Sequence, residues 1–247
     1  DSNKKMLQRI YGVAFPTKKE LDDYLVMMEE AEKRDHRKLG RQLNLFFLDD
    51  HGPGFPFFMP KGMELINKLQ EIWRREHKKS GYKEIKTPVM LDKELWEISG
   101  HWFNYRENMY TSEIDDKEYA IKPMNCPGSI IAYKSNPHSY KNFPLKYGEM
   151  GLVHRHEFSG ALHGLMRVRA FTQDDAHVFC TEDQIEDQII EIINLYDRFY
   201  KLFGFEYNIE LSTKPEKAIG ADEIWEVAER DLTKALVRMG IDYKLNP

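Results

Sequence analysis

The chain has 247 residues and a net charge of −5, with 41% hydrophobic and 31% charged residues. This balance is typical of a globular protein with a sizeable core, and no run approaches the roughly 18 apolar residues of a membrane-spanning helix. Residues 1–6 carry charge where a secretion signal needs an apolar centre, so we expect a cytoplasmic protein with two reduced cysteines. Because the net charge is negative, contact with nucleic acid requires a local basic patch.

The N-terminal part predicts two helices with short strands between and after them. Thr17 and Glu20 form a capping box, so a helix is expected from there to about residue 39, with Gly40 as its stop. Pro60 is well placed as the first residue of a second helix, which the apolar spacing carries to about residue 80. Residues 51–56 are expected to form a loop. Short strands are expected at residues 43–48 and 82–87.

The remaining chain predicts a strand-rich middle followed by helices. Two strand-like runs flank Asp115-Asp116 and predict a hairpin, whereas residues 101–108 are expected to be irregular. Two longer strands are expected on either side of a loop of small residues at 159–164. Such a pattern predicts an α+β fold, an antiparallel sheet flanked by helices. The predicted strands are 109–114, 119–122, 145–157, 167–179 and 207–211, and the predicted helices are 92–98, 181–204 and 222–239.

The strand over residues 167–179 has a distinctive alternation, because successive side chains of a strand point to opposite faces. The even positions are mostly small or apolar, which suits packing against a helix. If the preceding strand pairs across the loop, Arg155 and Glu157 join the odd face. The odd positions are Arg167, Arg169, Phe171, Gln173, Asp175 and His177.

The odd face has the chemistry of a nucleotide site. Arginine donates two parallel hydrogen bonds to phosphate, and an aromatic ring stacks on a nucleobase. A salt-bridged face open to solvent has the same composition, so spacing alone leaves both interpretations open. No Gly-x-x-x-x-Gly-Lys segment occurs, which argues against a P-loop.

Three further side chains are candidates for site chemistry. Cys126 and His177 are a thiolate and an imidazole that zinc accepts as ligands, although neither lies in a Cys-x-x-Cys pair and two ligands make an incomplete site. His101 lies in a segment where an imidazole could act as a base near neutral pH. A structural cysteine and histidine, and an exposed histidine without a role, are the alternatives.

Three segments combine unusual residues: Lys-Pro-Met-Asn-Cys-Pro-Gly at 122–128, Gly-His-Trp-Phe-Asn-Tyr at 100–105, and Leu-His-Gly-Leu-Met-Arg-Val-Arg-Ala-Phe-Thr-Gln-Asp-Asp-Ala-His at 162–177. With them the chain, from about Leu7 to its end, resembles the class II aminoacyl-tRNA synthetases and, among these, the threonine-specific members. The resemblance implies that the helix from Pro60 and the strand ending at Pro88 form the first class motif, which builds a homodimer interface. The second motif would be the hairpin formed by the predicted strands 145–157 and 167–179.

The resemblance also implies a reaction and a set of roles. The reaction is ATP-dependent activation of L-threonine, with Mg²⁺, followed by transfer to the 3′-terminal ribose of tRNA(Thr). The implied roles are Arg155 on the α-phosphate as a catalytic group, Glu157 on adenine, Arg167 on the terminal phosphates, Phe171 stacked on the base, Met124, Gln173 and Asp175 on the amino acid, Cys126 and His177 as zinc ligands, and His101 in deprotonating the attacking ribose hydroxyl.

By the same resemblance the chain is expected to be an incomplete catalytic core. Residues 1–40 would be the linker segment and helix leaving an upstream editing domain, and residues 41–247 a partial catalytic domain. The third motif, the third zinc ligand and the anticodon-binding domain would be missing, so little turnover is expected from these residues alone. Ser129 stands where many relatives have histidine. Alternatives are a proline- or serine-specific class II enzyme, or a non-catalytic paralogue that binds RNA or a partner.

Overall fold

A computed structural model of the chain describes residues 10–216 and 218–246. Residues 1–6, on which the prediction about a secretion signal depends, lie outside the described residues. The helices are α1 (Lys18–Lys33), α2 (His36–Gln42), α3 (Pro60–Lys79), α4 (Lys93–Ile98), α5 (His101–Tyr105), α6 (Cys126–Lys134), α7 (Ile185–Phe203) and α8 (Asp222–Met239). The strands are β1 (Phe46–Phe47), β2 (Phe57–Phe58), β3 (Lys83–Glu84), β4 (Met90–Asp92), β5 (Thr111–Ile114), β6 (Lys117–Ile121), β7 (Leu145–His154), β8 (Ala170–Phe179), β9 (Ile209–Ser212) and β10 (Tyr243–Asn246).

The helix predicted over residues 17–39 is broken into α1 and α2. It begins as predicted, since the Thr17 hydroxyl accepts a hydrogen bond from the Glu20 N–H at 3.3 Å. The break comes at Asp35, whose carboxylate accepts from the Arg37 N–H at 2.8 Å and caps the start of α2. A short polar side chain that binds a nearby backbone N–H favours a new helix start over continuation of the old helix.

Gly40 does not stop the helix, contrary to the prediction. It is buried inside α2, and a Cβ at this position would lie 2.3 Å from the Phe46 ring. The glycine therefore lets the ring pack against the helix backbone. The strand predicted at 43–48 is reduced to β1, which pairs antiparallel with β2, a strand that the sequence did not predict.

The central sheet has the order β3-β7-β8 and positions the candidate site. β7 and β8 pair antiparallel over ten residues each, from Leu145 opposite Phe179 to His154 opposite Ala170. β3, shorter than the predicted 82–87, pairs parallel to β7. The predicted antiparallel sheet is therefore mixed at one edge. Beyond the last paired residues of β7 and β8, isolated backbone hydrogen bonds continue this hairpin, such as the one from Arg155 N–H to Arg169 O at 3.0 Å.

Helices cover part of the even face of β7 and β8. Trp73 of α3 packs over Gly148, where a Cβ would lie 3.2 Å from the indole. Ala176 and Val178 line a cavity together with side chains of α7. At the loop end of β8, however, Thr172 is exposed, so the predicted packing against a helix holds for only half of this face.

A second sheet, β4-β6-β5, surrounds a small core centred on Trp96. Asp115 and Asp116 have φ values of 51° and 58°, the left-handed conformation of a two-residue hairpin turn, which confirms the predicted hairpin. Residues 101–108, predicted to be irregular, form α5 and a 3₁₀ turn (Arg106–Asn108). They do so because Trp102 packs against the Trp96 core, and such burial outweighs weak local propensity.

Helices α7 and α8 end as predicted, at Gly204 and Gly240 with φ values of 71° and 64°. The strand predicted at 207–211 is β9, displaced by one to two residues, and it pairs parallel with the unpredicted β10. Helix α6 was not predicted either, because its second and third residues are Pro127 and Gly128. Within residues 10–216 and 218–246, no helix combines the length and the apolar character that crossing a membrane requires.

Candidate active site

The odd positions of β8 share one face with the odd positions of β7, as the alternation predicts. In the observed register Phe171 lies opposite Val153 and Gln173 opposite Gly151. Directly opposite residues of an antiparallel pair point to the same side of the sheet. Asp175 and His177 follow on that same side, so the register brings four of the predicted site residues onto one surface.

One end of this surface is a cleft of about 390 Å³, within the range of small-molecule sites. The Arg155 guanidinium lies 5.2 Å from the centre of the Phe171 ring, and its Nε donates to Pro123 O at 3.1 Å. Glu157 is paired with the exposed Arg167 at 3.0 Å. The cleft is lined by Arg155, Glu157, Leu165, Met166, Arg167, Val168 and Phe171.

Arg169 is not available to a phosphate, although the alternation places it on the odd face. It is buried, and its guanidinium donates to Glu157 O at 2.7 and 2.9 Å and to Pro53 O at 3.0 Å. Two of these bonds stay within the hairpin, and the bond to Pro53 O ties the hairpin to the loop before β2. Arg169 is therefore a structural clamp, and two arginines remain for the cleft.

At the other end of the surface, Asn125 binds two of the residues predicted to contact the amino-acid substrate. Its Nδ2 donates to Gln173 Oε1 at 3.2 Å and to Asp175 Oδ2 at 3.0 Å. The side chain is completely buried, and it fills the space where a Cβ on Gly151 would come within 2.3 Å. The sequence prediction missed Asn125, and its signal is visible only once Gly151 is known to lie opposite Gln173.

Next to Asp175 lies a buried ion pair that the sequence prediction also missed. Lys122 Nζ donates to Glu149 Oε1 at 3.0 Å and to the Thr87 hydroxyl at 2.8 Å, and all three side chains are buried. Glu149 stands directly opposite Asp175, where two carboxylates repel. Lys122 compensates that charge and connects three elements: the end of the β3 segment, β7 and the segment that leads into α6.

His101 and Met124, both predicted as site residues, lie against each other. His101 Nε2 is 3.1 Å from Met124 Sδ, and its Nδ1 is 2.9 Å from the Ser99 hydroxyl. Burial lowers the pKa of the His101 imidazole. The ring therefore stays neutral at neutral pH and can accept a proton.

Cys126 and His177 both adjoin Asp175. Cys126 directly follows Asn125, which binds Asp175, and His177 lies two positions further along the same face of β8. Burial and the nearby Asp175 carboxylate raise the pKa of the Cys126 thiol, so it stays protonated without a cation. Among the described residues, no three His, Cys, Asp or Glu side chains group as a metal would need. Cys126 and His177 are donor types that zinc accepts, but the described residues show no third ligand grouped with them.

Ser129 is buried in α6, and its hydroxyl has no hydrogen-bond partner within the described part of the chain. Nothing in the structure gives it a role at the site.

The fold and this face define a class of protein. Residues 110–242 match the family described as the tRNA synthetase class II core domain (G, H, P, S and T), and the chain belongs to that family.

Within the class, the chain is similar along its whole length to threonine–tRNA ligases. It is 66% identical to the threonine–tRNA ligase of Fusobacterium nucleatum over 248 aligned residues, covering 100% of the chain and 40% of that relative. It is 62% identical to that of Carboxydothermus hydrogenoformans, covering 98% and 38%. The chain thus spans about two fifths of the length of the curated relatives it matches.

Solved structures agree with this similarity. A structure described as the RNA binding domain of threonyl-tRNA synthetase from Cryptosporidium parvum aligns with a TM-score of 0.83 and 44% identity, covering 87% of this chain and 54% of that one. A Giardia lamblia prolyl-tRNA synthetase aligns with a TM-score of 0.61 and 20% identity, covering 73% and 36%. At that low identity the likeness extends to the fold alone.

Proposed function

We propose that the protein containing this chain activates L-threonine with ATP and transfers it to the 3′-terminal ribose of tRNA(Thr). One observation carries the proposal: a single face of β7 and β8 has a nucleotide-sized cleft at one end and the Asn125-bound pair Gln173 and Asp175 at the other. Two substrates bound at these ends would meet on the same surface. The similarity to threonine–tRNA ligases supports threonine as the amino acid.

At the cleft end, Arg155 is assigned to the α-phosphate of ATP. Its guanidinium is held by the Pro123 carbonyl beside the Phe171 ring, so its position is set before substrate binds. Preorganised positive charge at the α-phosphate stabilises the charge that develops when the threonine carboxylate attacks the phosphorus. Phe171 is assigned to stacking on adenine, Glu157 to its amino group, and Arg167, with Mg²⁺, to the terminal phosphates.

The ion pair between Arg167 and Glu157 fits these roles. Both side chains lie at the mouth of the cleft, and Arg167 is largely exposed, so the pair costs little to separate. Nucleotide binding would exchange the Glu157 carboxylate for phosphate oxygens at Arg167 and leave Glu157 free to accept from adenine. A solvent-facing salt bridge and a nucleotide site are thus two states of the same residues.

At the other end, Gln173, Asp175 and Met124 are assigned to the amino acid. Cys126 and His177 would hold zinc, which when bound would accept the amino group and side-chain hydroxyl of threonine. Asn125 keeps Gln173 Oε1 as an acceptor, so the Gln173 amide N–H groups remain free for substrate. A site that satisfies a hydroxyl rejects valine strongly because its polar groups would otherwise be left unpaired.

For the transfer step, His101 is assigned to the 3′-terminal ribose of tRNA. Its ring is neutral and lies beside Met124, at the amino-acid end of the surface. The proposed reaction belongs to translation, which supports the predicted cytoplasmic location. The division into a linker at residues 1–40 and a partial catalytic domain at 41–247 is part of the same proposal, as is the homodimer.

Amino-acid-dependent ATP–pyrophosphate exchange in the full-length polypeptide tests the activity. We expect exchange with threonine, weaker exchange with serine, and none with proline. Arg155→Ala should reduce exchange by about 100-fold or more, whereas Arg238→Ala, which removes a surface partner of Glu186 and Asp187, should not. Exchange driven by proline would replace the substrate, and tRNA binding without any exchange would favour the non-catalytic paralogue.

Zinc content measures the metal assignment independently of activity. Cys126→Ser and His177→Ala should each reduce bound zinc well below one ion per chain. Cys180→Ser is the matched control, because this half-buried thiol lies just beyond β8. Full zinc content in the Cys126 and His177 variants would place the metal elsewhere.

A further inference from the structure

The tip of the hairpin loop is held by a residue from the N-terminal part of the chain. The Leu165 N–H donates to His36 Nε2 at 2.9 Å, across 129 positions of sequence. His36 is the first residue of α2, in the segment that the resemblance to the synthetases assigns to a linker. Leu165 lines the nucleotide cleft beside Arg167.

We propose that His36 is a positioning residue of the nucleotide site, which it serves by fixing the loop that presents Arg167 to the phosphates. The inference rests on the proposed function for its ligand, ATP. It adds a residue from outside the sheet and the hairpin to the machinery of the cleft.

The contact is built on both sides. On the loop side, Gly164 has a φ of 51°, and a Cβ there would lie 2.2 Å from His36 Nε2. Only glycine allows the backbone to come this close in that conformation. The loop tip is also closed on itself, because His163 O accepts from the N–H groups of Met166 and Arg167 at 2.9 and 3.2 Å. Leu165 N–H points away from this turn and towards His36.

On the helix side, the imidazole is held in place by its neighbours. It stacks on the Phe46 ring with an interplanar angle of 18°, and Phe46 in turn packs over Gly40. Since Nε2 accepts a hydrogen bond, the ring carries its proton on Nδ1, which lies 3.9 Å from the Asp35 carboxylate. Gly40, Phe46 and His36 thus form a chain of contacts that ends at the loop.

The consequence concerns ATP more than threonine. The loop bears Arg167 at the open end of the cleft, whereas Gln173 and Asp175 are held separately by Asn125. Losing the bond from Leu165 releases the loop tip from α2, so the position of Arg167 is less restricted before ATP binds. Removing one such bond lowers affinity by roughly 3- to 10-fold.

The test compares His36→Ala, His36→Gln and His51→Ala in the full-length polypeptide. Glutamine places a side-chain oxygen near the position of Nε2 and can still accept from Leu165. His51 is an exposed histidine that contacts Asp49 of its own loop, so it is a matched control. Two quantities are measured: hydrogen exchange of the peptide containing residues 162–167, and the KM values for ATP and threonine.

We expect His36→Ala to accelerate exchange in that peptide and to raise the KM for ATP about 3- to 10-fold, with the KM for threonine unchanged. His36→Gln should bring hydrogen exchange and the KM for ATP most of the way back to the wild-type values, and His51→Ala should match the wild type in both. Unchanged hydrogen exchange in His36→Ala would overturn the inference, as would faster hydrogen exchange without a change in the KM for ATP. If the wild-type protein lacks amino-acid-dependent ATP–pyrophosphate exchange, the proposed function is contradicted instead. Calorimetric titration of the same variants with ATP then decides the role of His36.

Discussion

At the scale of single residues, the amino-acid end of the site depends on complementarity between a glycine and an asparagine. Gly151 lacks the side chain that would collide with Asn125, and Asn125 uses that space to bind Gln173 and Asp175 together. A fully buried amide with both of these bonds positions the two side chains more rigidly than solvent would. Asn125 is therefore expected to control amino-acid binding without touching ATP.

Asn125→Asp should raise the KM for threonine by about 10-fold or more, because it removes the Nδ2 donor and places a second carboxylate against Asp175. The KM for ATP should change less than about 2-fold, since the cleft lies at the other end of the face. Steady-state ATP–pyrophosphate exchange measures both values. Asn136→Asp, on an exposed loop, is the control. Equal increases in both KM values would point to general misfolding.

His101→Ala should slow transfer to tRNA about 100-fold while leaving adenylate formation within about 3-fold of wild type. Single-turnover transfer from preformed adenylate isolates that step. Because burial lowers the pKa of His101, wild-type transfer should persist to lower pH than an exposed histidine would allow, and should fall as pH drops through that lowered value. A pH profile that is the same in His101→Ala and wild type would exclude His101 as the base.

At the scale of elements, the buried group of Lys122, Glu149 and Thr87 explains how separate segments meet at the site. Glu149 accepts from the Thr87 N–H at 2.8 Å as well as from Lys122, so every element that carries one of these residues is fixed relative to the others. Pro123, the residue after Lys122, supplies the carbonyl that accepts a hydrogen bond from Arg155. The segment from Lys122 to Asn125 thus supports both the cleft end and the amino-acid end of the candidate site.

Lys122→Met should lower the free energy of unfolding by about 3 to 5 kcal/mol, because Glu149 would be left buried without its cation. Urea-induced unfolding followed by fluorescence measures this change. The double variant Lys122→Met/Glu149→Gln should recover much of the loss, since no isolated charge remains. Lys68→Met, which breaks an exposed pair with Glu71, should leave the unfolding midpoint unchanged. A loss in the double variant as large as in Lys122→Met would argue against this electrostatic account.

At the scale of the whole molecule, α3 leaves part of its apolar face uncovered. Leu65 and Leu69 are 53% and 41% exposed, beside a groove of about 600 Å³ that also contains Phe58 and Leu152. A contiguous apolar patch of this kind marks an interaction surface. It lies on the helix that the resemblance assigns to a homodimer interface, which supports a second copy of the chain as the partner.

In the proposed homodimer, Leu69→Glu should shift the full-length polypeptide from dimer towards monomer, because a carboxylate buried at the interface would have no partner there. Sedimentation velocity over a range of protein concentrations measures the change. Ile224→Glu, an exposed apolar position on α8, is the control and should leave the dimer intact. An unchanged sedimentation coefficient for Leu69→Glu would place the interface elsewhere.

The sequence alone predicted most of the longer helices and strands and the composition of the odd face of β8, but it missed α6, β2 and β10. The caps at Thr17, Pro60 and Gly204 marked helix ends because they act on backbone groups within one turn. Strand alternation placed Phe171 and Asp175 on one face because the period of a strand is local.

Only the tertiary structure decided how that face is held together. It buried Arg169 against carbonyls, placed Gly40 inside a helix, and joined Asn125 to Asp175 and His36 to Leu165. Apart from the packing of Gly40 on nearby Phe46, these contacts connect residues 12 to 129 positions apart. Their partners are set by which surfaces of distant segments pack together, and no local pattern in the sequence encodes that choice.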